Sequence, residues 1–440
     1  MKLEVKPISR AEYEEFIQDK DYTCTQAGGQ IGRMEEKGEE ARAAGGFENG
    51  KLVIAMLYRI SPYMKVFHSA YSPRGPVTDR FLEEDLLKAF FEGMKPLLQK
   101  DKAAFLKVES GAEIVQHDMD GNVVEGGYDN HPYRDMLGRI GLEPQPLWTD
   151  GLDLSRQPRY VSILDLVEYN PAFDGLFLTS EELKKKDRFV WKTEEQLMKD
   201  LSYKTRQDVR GSQKDYIEVR PLRYEELELM HSMEEASGKI HGFQADGLNI
   251  FQSTFKGYGE DCKVMASFLD LDAYERWLES ETAANARELE KARAEAEKFP
   301  DSKKKQNKVK TVLERTDSLQ RKKKEAEELE KQYGRKVPLA AGLFLMTPTE
   351  TTYLYGGSIR ELAGFRGTYA IQWKMIKEAL ARKALRYSFG GISGKYKPDE
   401  EGYGVFDFKR GFGARVAEYA GEFILPVSPS VMKLGQMLGR

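Results

Sequence analysis

The sequence predicts an α/β fold in which two similar units stand in tandem and a long helical hairpin is inserted in the second unit. Three observations predict this class. A pattern of two strands, one helix and one more strand occurs twice along the chain. Residues 275–335 carry a heptad pattern of apolar side chains. The chain of 440 residues is also longer than one ordinary hydrophobic core requires, so two or three structural units are expected.

The first unit begins with two segments rich in strand-forming residues, 51–59 and 65–71. A helix is predicted from about 81 to 99, because apolar residues recur on one face at helical spacing. These residues are Leu82, Leu86, Leu87, Phe90, Phe91 and Met94. A short strand at 104–108 closes the unit, and a loop-rich insertion follows it. We therefore place the first domain at residues 1–158.

The second unit repeats this order with strands at 339–346 and 351–355. Its helix spans 369–381 and its closing strand spans 385–389. The order and lengths of these elements suit a GNAT-like fold, the fold of N-acetyltransferases, used twice. That step is an analogy between folds. The second domain is placed at residues 159–440.

Residues 275–335 are predicted to form an antiparallel coiled-coil hairpin inserted in the second domain. Residues of both arms alternate in steps of four and three, which is the seam of a coiled coil. The first arm presents Leu278, Thr282, Asn285, Leu289, Ala292, Ala296 and Phe299, and the second presents Val309, Val312, Thr316, Leu319, Lys323 and Ala326. Pro300 breaks the pattern where the tip would lie, since proline cannot continue a helix.

Composition and charge exclude several classes of protein. The formal net charge is −4 at pH 7, which excludes a uniformly basic nucleic-acid coat but is compatible with a local basic patch. Cys24 and Cys262 form neither a disulfide framework nor a zinc cluster, and the five histidines show no ligand spacing, so no metal site is expected. The sequence has no apolar signal core and no run of about 18 apolar residues. We expect a cytoplasmic protein whose membrane contact, if it has one, is peripheral at the inner face.

Two glycine pairs follow strand-like segments of the second unit. Gly356 and Gly357 follow its second strand, and Gly390 and Gly391 follow its closing strand. Glycine permits tight turns and also the close approach of a ligand to the backbone, so both interpretations stand. No glycine-rich loop has phosphate-binding spacing before a helix, which argues against a nucleoside triphosphate site.

Lys409 stands among alternating aromatic residues. The alternation predicts a strand on which Lys409 and Asp407 lie on the face opposite Phe406 and Phe408. The alternative is an ordinary surface lysine, because most lysines are exposed.

Two sets of basic residues are candidates for binding anions. Arg206 and Arg210 lie one turn apart on a predicted helix, where guanidinium groups suit diphosphates and carboxylates. The second set lies near the tip of the hairpin and comprises Lys303, Lys304, Lys305, Lys308, Lys310, Arg321, Lys322, Lys323 and Lys324. Contacts with nucleic-acid phosphates are one interpretation of this set. A solvated charged face is the alternative for both sets.

Six short motifs occur in a fixed order along the chain. They are TQ at 25–26, SPRGPV at 72–77, YLYGGS at 353–358, QW at 372–373, FGGISG at 389–394 and VFDFKRGF at 405–412. In this order and spacing, and with the helical hairpin, they resemble the FemABX family of peptidoglycan-bridge aminoacyltransferases, in particular its FemA-like branch with a helical arm. No single motif is diagnostic, but the ordered set covers nearly the whole chain.

The resemblance implies an enzyme that transfers an amino acid from an aminoacyl-tRNA to a peptidoglycan precursor. The acceptor is an amine of the stem peptide or of the interpeptide bridge, carried on lipid II or on a UDP-linked muropeptide. Because the aminoacyl ester is already activated, neither ATP nor a cofactor is expected. Such an enzyme works largely by positioning its substrates and by stabilising the developing oxyanion.

The resemblance also implies roles for individual residues. Lys409 is implied at the oxyanion or the tRNA terminus, and Glu109 in handling the amine. Arg206 and Arg210 are implied at the phosphates or carboxylates of the precursor. Further substrate-binding residues are implied at Arg33, Phe408, Gly356 and Gly390. The basic residues of the hairpin are implied to bind tRNA, with a purely structural role as the alternative.

Two positions depart from the family pattern. Relatives have a lysine eight residues after the glutamine that matches Gln26, whereas this chain has Met34 there with Arg33 beside it. Relatives also have an aspartate after the first closing strand, where this chain has Glu109. Two other functions remain open from the sequence. One is an acyl-CoA-dependent N-acyltransferase, because this fold usually binds acyl-CoA, and the other is a non-catalytic scaffold that binds tRNA or protein.

Overall fold

The computed structural model describes residues 2–148, 156–168, 174–241 and 244–438. The first unit contains β1 (Glu4–Ile8), α1 (Arg10–Ile17), α2 (Gly28–Glu36), β2 (Ala41–Glu48), β3 (Lys51–Met64), β4 (Phe67–Pro73), α3 (Glu84–Lys100) and β5 (Ala103–Glu109). The following segment contains β6 (Glu113–Gln116), α4 (His131–Arg139), β7 (Glu143–Pro144), β8 (Tyr160–Asp165), α5 (Ser180–Lys184), α6 (Glu194–Asp200) and α7 (Tyr203–Ser212).

The second unit and its insertion follow. They contain β9 (Ile217–Pro221), α8 (Leu227–His241), α9 (Leu248–Tyr258), β10 (Cys262–Asp270), α10 (Leu271–Lys298), α11 (Lys303–Tyr333), β11 (Lys336–Met346), β12 (Glu350–Ser358), α12 (Gly367–Ala381) and β13 (Arg386–Ile392). The chain continues with α13 (Tyr403–Arg410), β14 (Arg415–Tyr419), β15 (Glu422–Pro426) and α14 (Pro429–Met437).

The first sheet has seven strands in the order β1-β2-β3-β4-β5-β15-β7. Strands β4 and β5 pair in parallel, because α3 returns the chain across the sheet between them. The apolar face of α3 packs on this sheet and buries Phe90, Phe91 and Met94 completely. Leu82 was predicted on the same face, and that prediction is wrong. The helix begins only at Glu84, and Leu82 is 57% exposed.

The second sheet has eight strands in the order β6-β14-β8-β13-β12-β11-β10-β9, and its parallel pair is β12 and β13. Helix α12 packs on it through Trp373, Met375 and Ile376. The unit β3-β4-α3-β5 of the first sheet therefore recurs as β11-β12-α12-β13 in the second. This confirms the predicted α/β class with two GNAT-like units in tandem.

Two strands cross from one half of the sequence into the sheet of the other. Strand β6 follows the first unit but pairs with β14 in the second sheet. Strand β15 lies near the end of the chain but pairs with both β5 and β7 in the first sheet. The domain boundary predicted between residues 158 and 159 stays a prediction. Strands β6 and β15 each belong to the sheet on the other side of that boundary.

A shared hydrophobic core joins the two halves. It contains residues of the first half, such as Ile31 and Leu57, packed with Met230, Phe251 and Leu343 of the second half. The partners come from helices α2, α8 and α9 and from strands β3 and β11. Burying this apolar surface stabilises the contact between the units, since about 25 cal/mol is gained per Å² removed from water.

A buried ion network crosses the same junction. Arg386 on β13 donates two hydrogen bonds to Asp21, from Nη2 to Oδ1 at 2.7 Å and from Nη1 to Oδ2 at 3.1 Å. Its Nε donates to Glu350 Oε2 at 2.8 Å. Burial would raise the pKa of Asp21, but the neighbouring Arg386 guanidinium holds it below its ordinary value. The network fixes the relative position of the two halves, because each charge depends on its partners for solvation.

Helices α10 and α11 form the predicted hairpin and run antiparallel. Asn285 in the seam donates to Thr316 Oγ1 at 2.8 Å. The buried seam residues are Leu278, Asn285, Ala292, Ala296, Val312, Leu319 and Ala326. Two predicted seam residues are wrong, since Phe299 follows the end of α10 and is 57% exposed, and Lys323 is also exposed. A supercoil of the two helices stays a prediction.

The root of the hairpin belongs to the core of the second domain. Tyr274 stacks on Trp277 with a centroid distance of 5.6 Å. Leu278 and Leu329 lie in one apolar cluster with Leu362, which precedes α12. The root is therefore held by the domain, whereas the outer arm is held by contacts between its own two helices.

Candidate active site

The parallel pair β12 and β13 stops pairing partway along its length. Its register extends from Glu350↔Arg386 to Thr352↔Ser388, although β12 continues to Ser358 and β13 to Ile392. Each strand keeps its other neighbour, β11 and β8 respectively. Parallel strands that separate leave backbone polar groups facing each other without a ladder, which gives a site where a ligand can bind. We call the two stretches that are not paired with each other, 353–358 of β12 and 389–392 of β13, the strand cleft.

Both glycine pairs lie in the strands that border the strand cleft. Gly390 has a φ of +75°, which favours glycine, and a side chain there would lie 3.0 Å from the Tyr353 carbonyl oxygen. The space beside Gly356 is filled by the Tyr353 hydroxyl, and Gly357 lies against the backbone of Met233. These glycines therefore allow close packing within the protein, and their predicted role in binding substrate stays a prediction.

Lys409 lies on helix α13, so the predicted strand at this position is wrong. Phe406 and Lys409 are both buried because residues three apart share a helix face. Lys409 Nζ donates to the carbonyl oxygen of Gly391, on the border of the strand cleft, at 2.6 Å. Burial lowers the pKa of Lys409 to about 7. This amine can therefore be charged or neutral near physiological pH, which is typical of a functional lysine.

Other motif residues hold the framework of the site. Gln372 is fully buried on α12 and accepts a hydrogen bond from the Tyr387 hydroxyl at 2.6 Å. Phe408 packs edge-on against Tyr369, with ring centroids 5.3 Å apart, in the apolar cluster of the second sheet. In the first half, Gln26 donates to the Pro73 carbonyl oxygen at 2.8 Å. Phe408 is thus engaged in packing, and its predicted contact with substrate stays a prediction.

Glu109 lies at the end of β5 in the first sheet and is 1% exposed. It accepts hydrogen bonds from the Tyr71 hydroxyl at 2.5 Å and from the Gln157 backbone N–H at 3.2 Å. Burial raises the pKa of Glu109, although Arg74 opposes this shift. Glu109 is bound within the first unit and Lys409 within the second, so the structure places these two predicted catalytic residues on different sheets.

The two arginines of α7 differ in their surroundings. Arg206 Nη2 donates to the carbonyl oxygens of Lys199 at 2.8 Å and Leu201 at 2.9 Å. Arg206 therefore caps the C-terminal end of α6, where carbonyl groups lack helical partners. Arg210 is exposed on the same helix. The structure thus gives Arg206 a structural role and leaves Arg210 as the more accessible of the two for an anion.

Arg33 lies on α2 at the junction of the two halves. Its Nη1 donates to Gln30 Oε1 at 3.5 Å, and its Nε is buried with no acceptor among the described residues. Its charge lowers the pKa of Tyr355 on β12, against the upward shift due mainly to burial. Arg33 therefore lies near the second unit and beside one strand of the cleft.

A model of the FemAB family matches residues 8–177 and 180–440. The chain belongs to the FemAB family. Aminoacyltransferase FemA of Staphylococcus aureus strain MRSA252 is 30% identical over 383 residues, which cover 87% of this chain and 85% of that protein. FemA of strain N315 is 29% identical over the same length. This FemAB-family protein is accordingly an aminoacyltransferase.

A solved structure shows the same fold. The crystal structure of FemX aligns with a TM-score of 0.74 at 20% sequence identity, covering 98% of this chain and 99% of FemX. At this identity the match establishes the arrangement of elements alone. The two-sheet architecture described above is therefore shared with FemX over nearly the full length of both chains.

The basic residues of the FemAB-family arm are not equally available. Lys308 pairs with Glu288 at 3.8 Å, and Lys305 pairs with Glu295. Lys322 lies over the Trp277 ring, 5.3 Å from its centroid, at the root of the arm. The exposed members of the predicted set are Lys303, Lys304, Lys308, Lys310, Arg321, Lys323 and Lys324. These exposed cations are the members of the predicted set that are accessible to an anion.

The FemAB-family chain contains two cysteines, and neither is placed to act as a nucleophile. Cys24 and Cys262 are buried, and burial raises the pKa of each thiol to about 12, which disfavours a nucleophilic thiolate. Within the described ranges, no group of three or more His, Cys, Asp and Glu residues is placed to hold a metal ion. None of the helices in the part of the chain that the structure describes is both long and apolar enough to cross a membrane.

One buried acid of the second unit, Glu234, was not predicted from the sequence. Glu234 on α8 is 5% exposed, and burial raises its pKa to about 7, with the nearby Asp246 adding to the shift. A signal was present, because Leu227, Met230 and Glu234 lie at helical spacing on one face. An acid on an otherwise apolar face is a candidate functional group.

Proposed function

We propose that the protein transfers the aminoacyl group of a charged tRNA to an amine of a peptidoglycan precursor, either in the stem peptide or in its bridge. The observation that carries the proposal is Lys409, a buried lysine with a pKa near 7 held against Gly391 at the strand cleft of a FemAB-family aminoacyltransferase. The curated relatives support the class of reaction, since they are named aminoacyltransferases.

The transfer makes one bond and breaks another. The acceptor nitrogen bonds to the ester carbonyl carbon, and the bond between that carbon and the ribose oxygen breaks. The nitrogen loses a proton, and the leaving ribose oxygen gains one. Because the ester is already activated, the reaction needs positioning and stabilisation of the oxyanion rather than ATP.

Lys409 is suited to the oxyanion. A charged ammonium carries three donors, of which one is used by the Gly391 carbonyl oxygen. A second donor then serves the ester oxygen as negative charge develops on it. In a site sheltered from water such a donor stabilises the transition state more strongly than it would in solution. Binding the terminal phosphate or ribose of the tRNA is the other role in which a cation at this position would act.

The acceptor side of the proposal uses residues from both halves. Arg210 is exposed and suits a phosphate or carboxylate of the precursor. Arg33 lies at the junction with a buried Nε that lacks an acceptor among the described residues. Glu109 in the first unit is a buried acid with a raised pKa, and we propose it for handling the amine. The precursor would then extend across the junction towards the strand cleft.

The decisive test offers the purified protein a panel of charged tRNAs together with lipid II or a UDP-linked muropeptide. The expected result is a mass increase of the precursor by one amino-acid residue with at least one tRNA. Acetyl-CoA in place of tRNA is the control for the acyl-CoA alternative. Binding of tRNA without transfer from any member of the panel would instead establish a scaffold and contradict the proposal.

Arg206 and Arg210 are expected to respond differently to alanine. Arg210→Ala should weaken precursor binding about 10- to 100-fold, because a hydrogen bond to a charged group is worth about 1.5–3 kcal/mol. Arg206→Ala should lower stability by about 0.5–1.5 kcal/mol, because the carbonyl oxygens of Lys199 and Leu201 at the end of α6 lose their donor. Calorimetric titration and urea unfolding of both variants measure these effects. Unchanged precursor affinity in Arg210→Ala would remove that residue from the site.

The outer arm is expected to affect tRNA use without affecting the fold. Replacing residues 284–314 by a short Gly/Ser link keeps the root, where Tyr274, Trp277, Leu329 and Leu362 pack together. We expect cooperative melting to persist and KM for charged tRNA to rise, because phosphate contacts supply sequence-independent affinity. A variant with an intact arm and Lys303, Lys304 and Lys310 changed to Gln is the matched charge control. If both variants keep wild-type tRNA kinetics, the arm is structural.

A further inference from the structure

Four elements bring a group of polar side chains together behind the strand cleft. Glu234 comes from α8, Asp246 from the segment before α9, Tyr355 from β12 and Arg33 from α2. The Tyr355 hydroxyl donates to Asp246 Oδ2 at 2.7 Å, and the charge of Asp246 adds to the upward shift that burial causes in the pKa of Glu234. The charges of Asp246, Arg33 and Glu234 all act on the Tyr355 hydroxyl. We call these four residues the junction group.

A bulge in β12 directs Tyr355 towards this group. The register with β11 shifts so that Leu343 pairs with Tyr355 and Phe344 with Tyr353, which leaves Leu354 as the extra residue. The two tyrosines consequently lie on opposite faces of the sheet. Tyr353 stacks on Phe344, whereas Tyr355 packs on the other face as part of the shared core. The bulge therefore places a phenol hydroxyl beside α8.

The glycine at 357 brings the helix of Glu234 against the strand cleft. A side chain at Gly357 would lie 2.9 Å from the Glu234 backbone nitrogen and closer still to the Met233 carbonyl group. Only a residue without Cβ lets α8 approach this part of β12. The motif glycine thus connects the buried acid to the strand that borders the proposed site of transfer.

Arg33 brings a positive charge near Tyr355, but the two acids of this group form no ion pair with any residue that the structure describes. Glu234 is 5% exposed, and no described residue offers a hydrogen bond to its Oε2. Among the described residues, no ion pair within 4.0 Å joins Glu234 or Asp246 to a lysine, arginine or histidine. Buried polar groups in native proteins are normally paired, and an unpaired one calls for an explanation such as a ligand. The donors that suit two adjacent carboxyl groups and a phenol oxygen are those of a primary ammonium ion.

We propose that Glu234, together with Asp246 and Tyr355, binds a primary ammonium group of a substrate. This inference rests on the proposed function, which supplies two sources of that group. One is the amine of the acceptor peptide, and the other is the α-ammonium of the aminoacyl group on the tRNA. Glu234 binds the group in both cases, and the unpaired Oε2 becomes its acceptor.

The test compares pairs of ligands that differ by one acetyl group. For the acceptor, the probes are a UDP-linked muropeptide with a free lysine amine and its Nε-acetylated copy. For the donor, they are a stable amide analogue of aminoacyl-adenosine and its N-acetylated copy. We expect wild-type protein to prefer the free amine about 10-fold or more in one of the two pairs, since charge-assisted hydrogen bonds of this kind are worth a factor of ten or more. The pair that shows the preference identifies the source.

Two variants assign the preference to this group. Glu234→Gln keeps the size of the side chain and should abolish the preference, and Asp246→Asn should reduce it. Glu235→Gln, on the exposed neighbour in α8, is the matched control and should keep it. Melting curves verify that each variant is folded. A preference that survives in folded Glu234→Gln, or no preference or no binding with either pair in the wild type, overturns the inference.

The experiments distinguish failure of the ammonium site from failure of the proposed function. If wild-type protein transfers amino acids but shows no amine preference, the inference fails and the function stands. If no charged tRNA supports transfer but Glu234→Gln still abolishes an amine preference, the function fails and the ammonium site stands.

Discussion

Lys409→Met is expected to lower kcat by about 10²–10³-fold while the protein stays folded, which is the usual scale for the loss of one oxyanion donor. Methionine keeps the length and the apolar stem of the side chain but removes the charge. Precursor affinity should hardly change, because the lost interaction belongs to the transition state. Single-turnover transfer from a charged tRNA measures this effect directly. A rise in KM for tRNA with an unchanged kcat would instead place Lys409 at the tRNA terminus.

The control for this variant is Lys433→Met, which changes an exposed lysine of α14. It should retain wild-type rates. If folded Lys409→Met also retains both constants, the buried amine has no part in the chemistry, and the proposed mechanism loses its central residue.

The same substitution also has a consequence for stability. Burial lowers the pKa of Lys409 from 10.5 to about 7, so between these values the unfolded chain holds a proton that the folded chain has lost. Wild-type stability should therefore rise with pH across this window, and this contribution is absent from Lys409→Met. The free energy of unfolding should therefore increase more between pH 7 and pH 9 in the wild type than in Lys409→Met.

Arg386→Met is expected to destabilise the protein by about 3–5 kcal/mol, the scale for removing one partner of a buried ion pair. The side chain of Asp21 is 0% exposed and that of Glu350 is 5% exposed, so both would keep charges without their cation. Urea unfolding measures the loss. Arg386 holds the pKa of Asp21 below its ordinary value in the folded protein. The stabilisation from this ion pair is therefore fully present above the pKa that Asp21 has in the unfolded chain, and it is lost as pH falls through the pKa that Asp21 has in the folded protein. The difference between wild type and variant should accordingly narrow in acid.

Arg382→Met is the matched control, since Arg382 pairs with Asp261 at 3.6 Å and its side chain is 40% exposed. Exposed pairs contribute about 0–1 kcal/mol, so little change is expected. A loss below 1 kcal/mol in Arg386→Met would show that the junction does not depend on the buried network.

Elements with strong local periodicity were predictable from the sequence. Local apolar patterns, which do not depend on the topology of the chain, mark β3, β4, β5 and α3 in the first unit. The same is true of β11, β12 and α12 in the second unit. The arm was predictable for the same reason, apart from Phe299 and Lys323 at the edges of its seam. Here local pattern and tertiary packing agree.

Helix α13 was not predictable by that route. Over eight residues, Phe406 and Phe408 fit the period of a strand, while Phe406 and Lys409 fit that of a helix. Packing decided between them, since Phe406 and Lys409 are the buried residues. Lys409 was found as a candidate through family resemblance, but its burial and its contact with Gly391 required the structure. In a short segment of mixed aromatic and charged residues, the sequence pattern alone does not decide between a strand and a helix.

The site residues show a similar division. The sequence identified Arg206 and Arg210 together, but the carbonyl groups that occupy Arg206 belong to the end of the preceding helix. Glu234 was missed because an isolated acid on a helix is usually solvated. Its burial depends on the close approach of α8 to Gly357, which lies far away in the sequence. Contacts between distant segments are the part that local pattern does not contain.

The exchanged strands have a consequence for how this chain is made. Strand β15 fills the position between β5 and β7 in the first sheet, and it is synthesised after the second unit and its arm. Until residues 422–426 emerge, the nascent first unit has an open edge at β5, and open edges are prone to pair with other chains. We therefore expect the first sheet to be completed only after residues 422–426 have been synthesised, so that the edge of β5 needs chaperone protection until then.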